Sequence, residues 1–317
     1  MAKGWKPTKH TDKGNVIVNE ETLSHIKMPE AQMFSRFFLL QKRTCMLKSW
    51  IKECHDDDKV RGKVMTLKTI TGRMAHNSPN MAQVPASYSP YGKEFRSLWT
   101  ISDPDNYNLV GTDASGLELR CLAHYMKDEE YIHEVVNGDV HTANMKMAGL
   151  TNRDQAKTFI YAFLYGAGPA KIGKVVGGGA AQGRELIESF LSNMPALKRL
   201  RTQVTEAATQ GSIKGLDGRW LQIRSEHAAL NTLLQGAGAI ICKEWLVQIT
   251  KQINEMKLNA KLVGSIHDEY QFEVSIEDTP QFCEITKQAI LDTEKILGVI
   301  CPLDSEYKVG KTWAETH

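Results

Sequence analysis

Tyr107-Asn-Leu-Val-Gly-Thr-Asp-Ala-Ser-Gly-Leu-Glu-Leu-Arg-Cys-Leu-Ala-His-Tyr-Met126 decides the fold. Tyr107–Thr112 reads as a buried strand that ends on Asp113, and Leu117–Met126 as a helix. Far downstream, Lys261–Ile266 and Tyr270–Ser275 read as two more strands separated by His267-Asp268-Glu269, which a tight hairpin places at its tip. Asp113 and Asp268 can become neighbours only if one sheet brings these strand ends together. A mixed sheet can do that, and the expected fold class is α+β.

The helical block runs from about 128 to 220, broken at Gly177-Gly178-Gly179 and Gly215-Leu-Asp-Gly218. Within it Arg153, Lys157, Tyr161 and Tyr165 recur every four residues, forming one slowly slanting stripe on a helix. Phe159, Ile160, Phe163 and Leu164 lie off the stripe and can bury. Thr151 and Asp154 form a start signal, and Gly166 and Gly168 end the helix. Two cations followed by two rings suit a triphosphate at one end and a base or sugar at the other. On its own, such a stripe is more simply a solvent face with part-buried tyrosines.

Asp113 and Asp268 likewise read singly as turn formers. Together, on rigid strand ends, their oxygens suit Mg²⁺, which takes few protein carboxylates and serves phosphoryl transfer in pairs. His267-Asp268 alone would also fit a metal phosphohydrolase, but no further His/Asp ligands with matching spacing accompany it.

Upstream, residues 1–28 are polar. A helix is expected over 31–54, with Phe34, Phe37, Phe38, Met46, Leu47, Trp50 and Ile51 on one buried face. His55-Asp56-Asp57-Asp58 reads as its solvated end. Lys63–Ile70 alternates as a strand, 80–92 reads as ordered loop, and a helix over 279–297 precedes a closing strand.

With 317 residues, 42% hydrophobic and 24% charged, the chain can bury a substantial core, which excludes wholesale disorder. A net charge of only +2 means that any nucleic-acid groove is local. Six cysteines without a C-x-x-C pair argue against a zinc site or disulfide framework. No stretch approaches the roughly 18 apolar residues of a membrane span, so no membrane partner is expected, and a reduced cytoplasm is the expected location.

The runs Asp113–His124, Ala156–Tyr161 and His227–Gln235, in that order, resemble the family A DNA polymerases, most closely those of short-tailed bacteriophages. The resemblance implies a right-hand fold: an antiparallel palm, helical fingers and a partial thumb. It divides the chain into partial thumb (1–58), palm (59–127), fingers (128–220) and palm again (221–317). The implied reaction is DNA-templated transfer of dNTPs to a primer 3′-OH, in the bacterial host cytoplasm for a phage protein.

The resemblance makes Asp113 and Asp268 ligands of two Mg²⁺ ions, with Mn²⁺ as a substitute, and Glu269 their support. Glu118 becomes a steric gate against the ribose 2′-OH. His141, Arg153 and Lys157 hold the triphosphate, with Lys157 also protonating pyrophosphate. Tyr161 faces the sugar, and Tyr165 stacks near the templating position. Arg73, Asn231 and Gln235 touch the primer–template minor groove, with His267 near the primer end. Two other outcomes remain open: a single-subunit RNA polymerase, against which Glu118 speaks, and an inactive DNA-binding scaffold. The resemblance also implies a proofreading exonuclease and a complete thumb that this sequence does not carry, which leaves an engineered fragment or a split polymerase; the split form is expected, with a second polypeptide carrying exonuclease and thumb.

Overall fold

The structure is a computed structural model that describes residues 5–7, 9–24 and 26–317. Met1–Gly4, Thr8 and His25 of the expected partial thumb therefore lie outside the described residues. Two compact units are present: Met1–Val64 with His76–Met81, and Met65–Ala75 with Ala82–His317.

In the first unit α1 (Glu20–Ser24) packs on the long α2 (Pro29–Lys52), which Pro29 opens from the first turn. The expected buried face of α2 is not realised. Phe34, Phe37 and Ile51 are exposed, Phe38, Met46 and Leu47 are half-buried, and only Ala31 and Trp50 are buried. A five-residue helix is too short to cover a 24-residue one. The expected strand over Lys63–Ile70 also shrinks, to β1 (Lys63–Met65), paired with β2 (Ala75–Asn77). Beyond Met65 the chain turns instead: Gly72 N donates to Thr69 O and Thr69 Oγ1 donates to Arg73 O. These local bonds compete with a ladder.

The second unit is built on one antiparallel sheet. After α3 (Gly92–Ser97), β3 (Tyr107–Ala114) runs through its middle and leads into α4 (Leu117–Met126). The helical block follows as α5 (Glu129–Asn137), α6 (Val140–Met147), α7 (Arg153–Leu164), α8 (Pro169–Val175), α9 (Ala180–Asn193) and α10 (Pro195–Ala208). The hairpin β4 (Ser212–Lys214) and β5 (Trp220–Gln222) turns through the Gly215–Gly218 stretch, and α11 (Ala229–Met256) spans the core. The chain closes with β6 (Ala260–Ile266), β7 (Glu269–Ser275), α12 (Thr279–Leu297) and β8 (Ser305–Gly310).

Sheet order is β6-β7-β3-β8, antiparallel throughout. The register sets Asp113 opposite Glu269 across β3 and β7. α11 and α12 pack together, and Trp245, Tyr270, Phe272 and Phe282 fill the space between helices and sheet with almost no exposure. Their polar atoms are satisfied there: Trp245 Nε1 donates to Thr286 O at 2.8 Å and Tyr270 Oη to Cys242 O at 2.7 Å. This anchors the β6–β7 hairpin from behind.

Between α8 and α9 the glycine run makes a turn, and the two helices touch backbone to backbone. A Cβ on Gly183 would sit 1.9 Å from Pro169 O, and one on Gly173 1.9 Å from Gly179 O. Neither helix can yield without breaking the pair. Gly183→Ala is therefore expected to destabilise the fold by about 1–3 kcal/mol or more, read as a lower urea midpoint at unchanged slope; an unchanged midpoint would refute the close approach.

Candidate active site

The second unit holds every candidate residue. β3 ends on Asp113, and Ser115–Gly116 turn the chain into α4, with Gly116 in the left-handed region at φ 57°. Arg120 fixes this strand-to-helix junction: Nε donates to Ser115 O at 2.7 Å and Nη1 to Pro302 O. The β6–β7 turn forms as expected, with His267 left-handed at φ 57°, a conformation a non-glycine residue holds only where its surroundings enforce it. Ala114 N donates to Asp268 O at 3.1 Å, so the hairpin tip is stitched to the end of β3. The topology thus brings Asp113 and Asp268 together.

The carboxylates crowd one another at the strand ends, and the electrostatics show it. Desolvation, then the neighbouring charges of Asp268, Glu269, Glu306 and Glu118, push Asp113 up to about 7. Desolvation and Glu118 also raise Asp268. Glu269 behaves differently: burial would raise its pKa, but His317, Trp313 and Gln271 together lower it. Its carboxylate accepts from Gln271 Nε2 at 2.6 Å and from Trp313 Nε1, and its other oxygen lies 2.7 Å from His317 Nδ1. With both oxygens engaged, Glu269 braces the strand beside the pair.

Two carboxylates with open neighbours fit a hard divalent ion that completes its shell with water and substrate oxygens. Among the described residues no group of three or more His, Cys, Asp or Glu side chains forms a ready cage, so such an ion would depend on substrate as well as protein.

α7 meets this carboxylate group at its C-terminal end, through Tyr165. Its cap is Asn152, not the expected Thr151: Asn152 Oδ1 accepts from Asp154 N at 2.9 Å and Gln155 N at 3.0 Å. Either residue is a sound cap type, and the chain enters the helix one residue later than the Thr151 signal implied. Phe159, Ile160, Phe163 and Leu164 are buried as expected, leaving Arg153 and Lys157 exposed and Tyr161 half-buried on the opposite face. Tyr165, at the C-cap, stacks on Tyr161 with ring centroids 6.4 Å apart.

Tyr165 Oη donates to Glu118 Oε1 at 3.2 Å, and Arg73 Nη2 reaches the same oxygen at 3.2 Å. Glu118 is thereby fixed between helix and turn. His141 lies 6.1 Å from Tyr161, ring to ring, and desolvation followed by the charges of Arg153 and Lys157 lowers its pKa, keeping the imidazole neutral. Asn231 and Gln235, four residues apart on one face of α11, are half-buried. His267 is exposed at the hairpin tip; desolvation and Arg73 lower its pKa.

Three participants escaped the sequence reading. Asp139 holds Arg153 through two hydrogen bonds, and Trp313 and His317 hold Glu269. A capping signal existed for Asp139, an Asp directly before a helical run. For the chain-terminal pair no local signal exists.

A four-stranded antiparallel sheet backed by helices, with acidic residues at its strand ends, has the architecture of the palm of a right-hand nucleic-acid polymerase fold. The chain belongs to DNA polymerase family A, whose family model matches residues 2–315. It is 39% identical to the DNA-directed DNA polymerases of Enterobacteria phage T3 and Escherichia phage T7, matches that cover 99% of this chain and 50% of each relative. The chain thus spans about half the length of these curated relatives. The POL domain of Pol1 from M. smegmatis, solved in complex with DNA primer-template and dNTP, superposes with a TM-score of 0.86 at 20% identity, covering 98% of this chain and 58% of that one.

Proposed function

We propose that the chain is the catalytic part of a DNA-directed DNA polymerase that joins dNTPs to a primer 3′-OH on a template strand and releases pyrophosphate. The observation that carries this reading is the juxtaposition of Asp113 and Asp268, set by the β3–β7 register and the bond from Ala114 N to Asp268 O, with Glu118 and the Tyr161–Tyr165 end of α7, the helix that also bears Arg153 and Lys157. Asp113 and Asp268 would hold Mg²⁺, with Mn²⁺ able to substitute; bound there, the ions supply positive charge to the attacking and leaving oxygens.

The chain's own side chains do the rest. Arg153, Lys157 and neutral His141 bind the triphosphate, and Lys157 passes a proton to the departing pyrophosphate. Tyr161 lies against the sugar and Tyr165 beside the templating base. Arg73, Asn231 and Gln235 contact the minor groove, where shared acceptors permit sequence-tolerant binding. His267 lies near the primer end, and Glu269 keeps the pair in position. On this reading 1–58 form a partial thumb, 59–127 and 221–317 the palm, and 128–220 fingers that close over a correct base pair.

Proposed partners are primer–template DNA and dNTPs, in the cytoplasm of a bacterial host; the comparisons give no support to the expected second polypeptide. Among the described residues no helix is long and apolar enough to cross a membrane. The test is extension of a primed template by the purified chain with Mg²⁺ and dNTPs, beside Asp268→Ala. Template-directed extension lost in the variant supports the reading; extension that survives the substitution refutes it.

Glu118 carries the sugar selection. Held by Arg73 and Tyr165, it fills the space a 2′-OH would need. Glu118→Ala is expected to lower the dNTP-over-rNTP preference by roughly 10–200-fold, measured as the ratio of the two kcat/KM values. A preference unchanged by the substitution would remove Glu118 from this role.

A further inference from the structure

One carboxylate links the two helices that carry the proposed phosphate contacts. Asp139 Oδ1 accepts from His141 N at 3.2 Å, Thr142 N at 3.3 Å and Arg153 Nη2 at 2.9 Å, and Oδ2 accepts from Thr142 Oγ1 and Arg153 Nε, both at 2.7 Å. The same side chain thus caps α6, which bears His141, and takes the Nε/Nη2 edge of Arg153 at the start of α7. α6 and α7 pack along each other, so this exposed ion pair joins two helices that are already in contact.

The geometry of the pair matters. A guanidinium carries five N–H donors in a rigid plane. Asp139 occupies Nε and one donor of Nη2, fixing that plane while both Nη1 donors and the second Nη2 donor point away from it. That outward end matches two phosphate oxygens in a bidentate fork. The hydrogen bonds from Arg153, first among the causes, and from the Thr142 hydroxyl hold Asp139 well below the usual carboxylate range.

We propose that Asp139 is a positioning residue for the incoming nucleotide: by clamping one edge of Arg153 while capping the His141 helix, it aims guanidinium and imidazole together at the triphosphate. This rests on the polymerase reading above, in which Arg153 is a phosphate contact. A floppy arginine would have to be ordered by each nucleotide it binds, at a cost in affinity; a clamped one is ordered beforehand.

Asp139→Asn isolates the clamp from the cap, because asparagine caps a helix as well as aspartate does but carries no charge for Arg153. The measurement is equilibrium binding of the correct dNTP to protein on a 3′-dideoxy-terminated primer–template, together with KM and kcat on an extendable primer, in Asp139→Asn, Arg153→Ala and the double variant. Expected are a dNTP Kd and KM raised about tenfold in Asp139→Asn, kcat at saturating dNTP nearly unchanged, and no further loss when Asp139→Asn is added to Arg153→Ala. A purely structural cap would show none of this split. If Arg153→Ala weakens nucleotide binding but Asp139→Asn does not, the positioning role is overturned and the polymerase reading stands. Tighter binding in Asp139→Asn would overturn it too, making Asp139 a competitor of phosphate. If Arg153→Ala has no effect, both this role and the Arg153 assignment fall.

Discussion

Asp113→Asn and Asp268→Asn are each expected to lower primer extension by about 10³-fold or more while leaving binding of primer–template in place. Asparagine keeps the shape and removes the charge that would hold a divalent ion. Asp113 supplies an internal control for folding. Its carboxyl, ordinarily at 3.8, stands at about 7 in the fold because of desolvation and the surrounding carboxylates. A carboxyl raised in the folded state favours folding fully at low pH, and that contribution disappears as pH rises through the folded value. In metal-free buffer the wild-type chain therefore loses stability between about pH 4 and pH 7 from this group, and Asp113→Asn does not. The thermal midpoint of the variant, relative to wild type, should rise from pH 5 to pH 8 even as activity vanishes. A variant that is inactive and also less stable at pH 8 would mean that Asp113 holds the fold rather than an ion.

That crowding of negative charge is also what made the site legible. Strand-ending aspartates far apart in sequence need a sheet to unite them, and the strands read over Tyr107–Thr112 and Tyr270–Ser275 supplied it. β3 and the β6–β7 hairpin formed where the pattern placed them, except that β3 runs on to Ala114 and Glu269 opens β7 instead of lying in the tip, and helices 117–126 and 279–297 matched to the residue. Local periodicity governs these elements because one of their faces is buried. It misled in α2, where Phe34 and Phe37 recur at helical spacing yet meet solvent: spacing predicts a helix, but burial needs a partner. It also misled at Lys63–Ile70, where threonine hydroxyls and Gly72 favour turns.

Side-chain partnership was harder to read than backbone. Nothing near Glu269 announces that Trp313 and His317 will bind it, since the contact depends on where the chain's last residues return to the sheet. Asp139 carried an unread capping signal and none at all as the partner of Arg153, because the link joins two helices whose relative placement no local pattern encodes. Both omissions concern residues that hold other residues in place, the layer of a site that is set by tertiary structure.

Lys157 carries the second large effect. It lies one turn beyond Arg153 and one before Tyr161 on α7, exposed on the face that also holds the two tyrosines, and its charge contributes to keeping His141 neutral. A lysine ammonium can both attract phosphate and surrender a proton, whereas an arginine does only the first, because its guanidinium stays charged in proteins. Lys157→Ala is expected to lower kcat by about 10²–10⁴-fold, the span of positioned general-acid catalysis, and to raise the dNTP KM as well. Lys157→Arg separates the two contributions: the KM returns toward wild type while kcat stays depressed. Single-turnover extension at saturating dNTP, with both variants on the same primer–template, measures the chemical step directly. Full recovery of kcat in Lys157→Arg would show that charge alone suffices and that the proton reaches pyrophosphate from elsewhere. Depressed kcat with restored KM would assign the proton to the Lys157 Nζ, on the helix whose buried face of Phe159, Ile160, Phe163 and Leu164 leaves that ammonium turned outward.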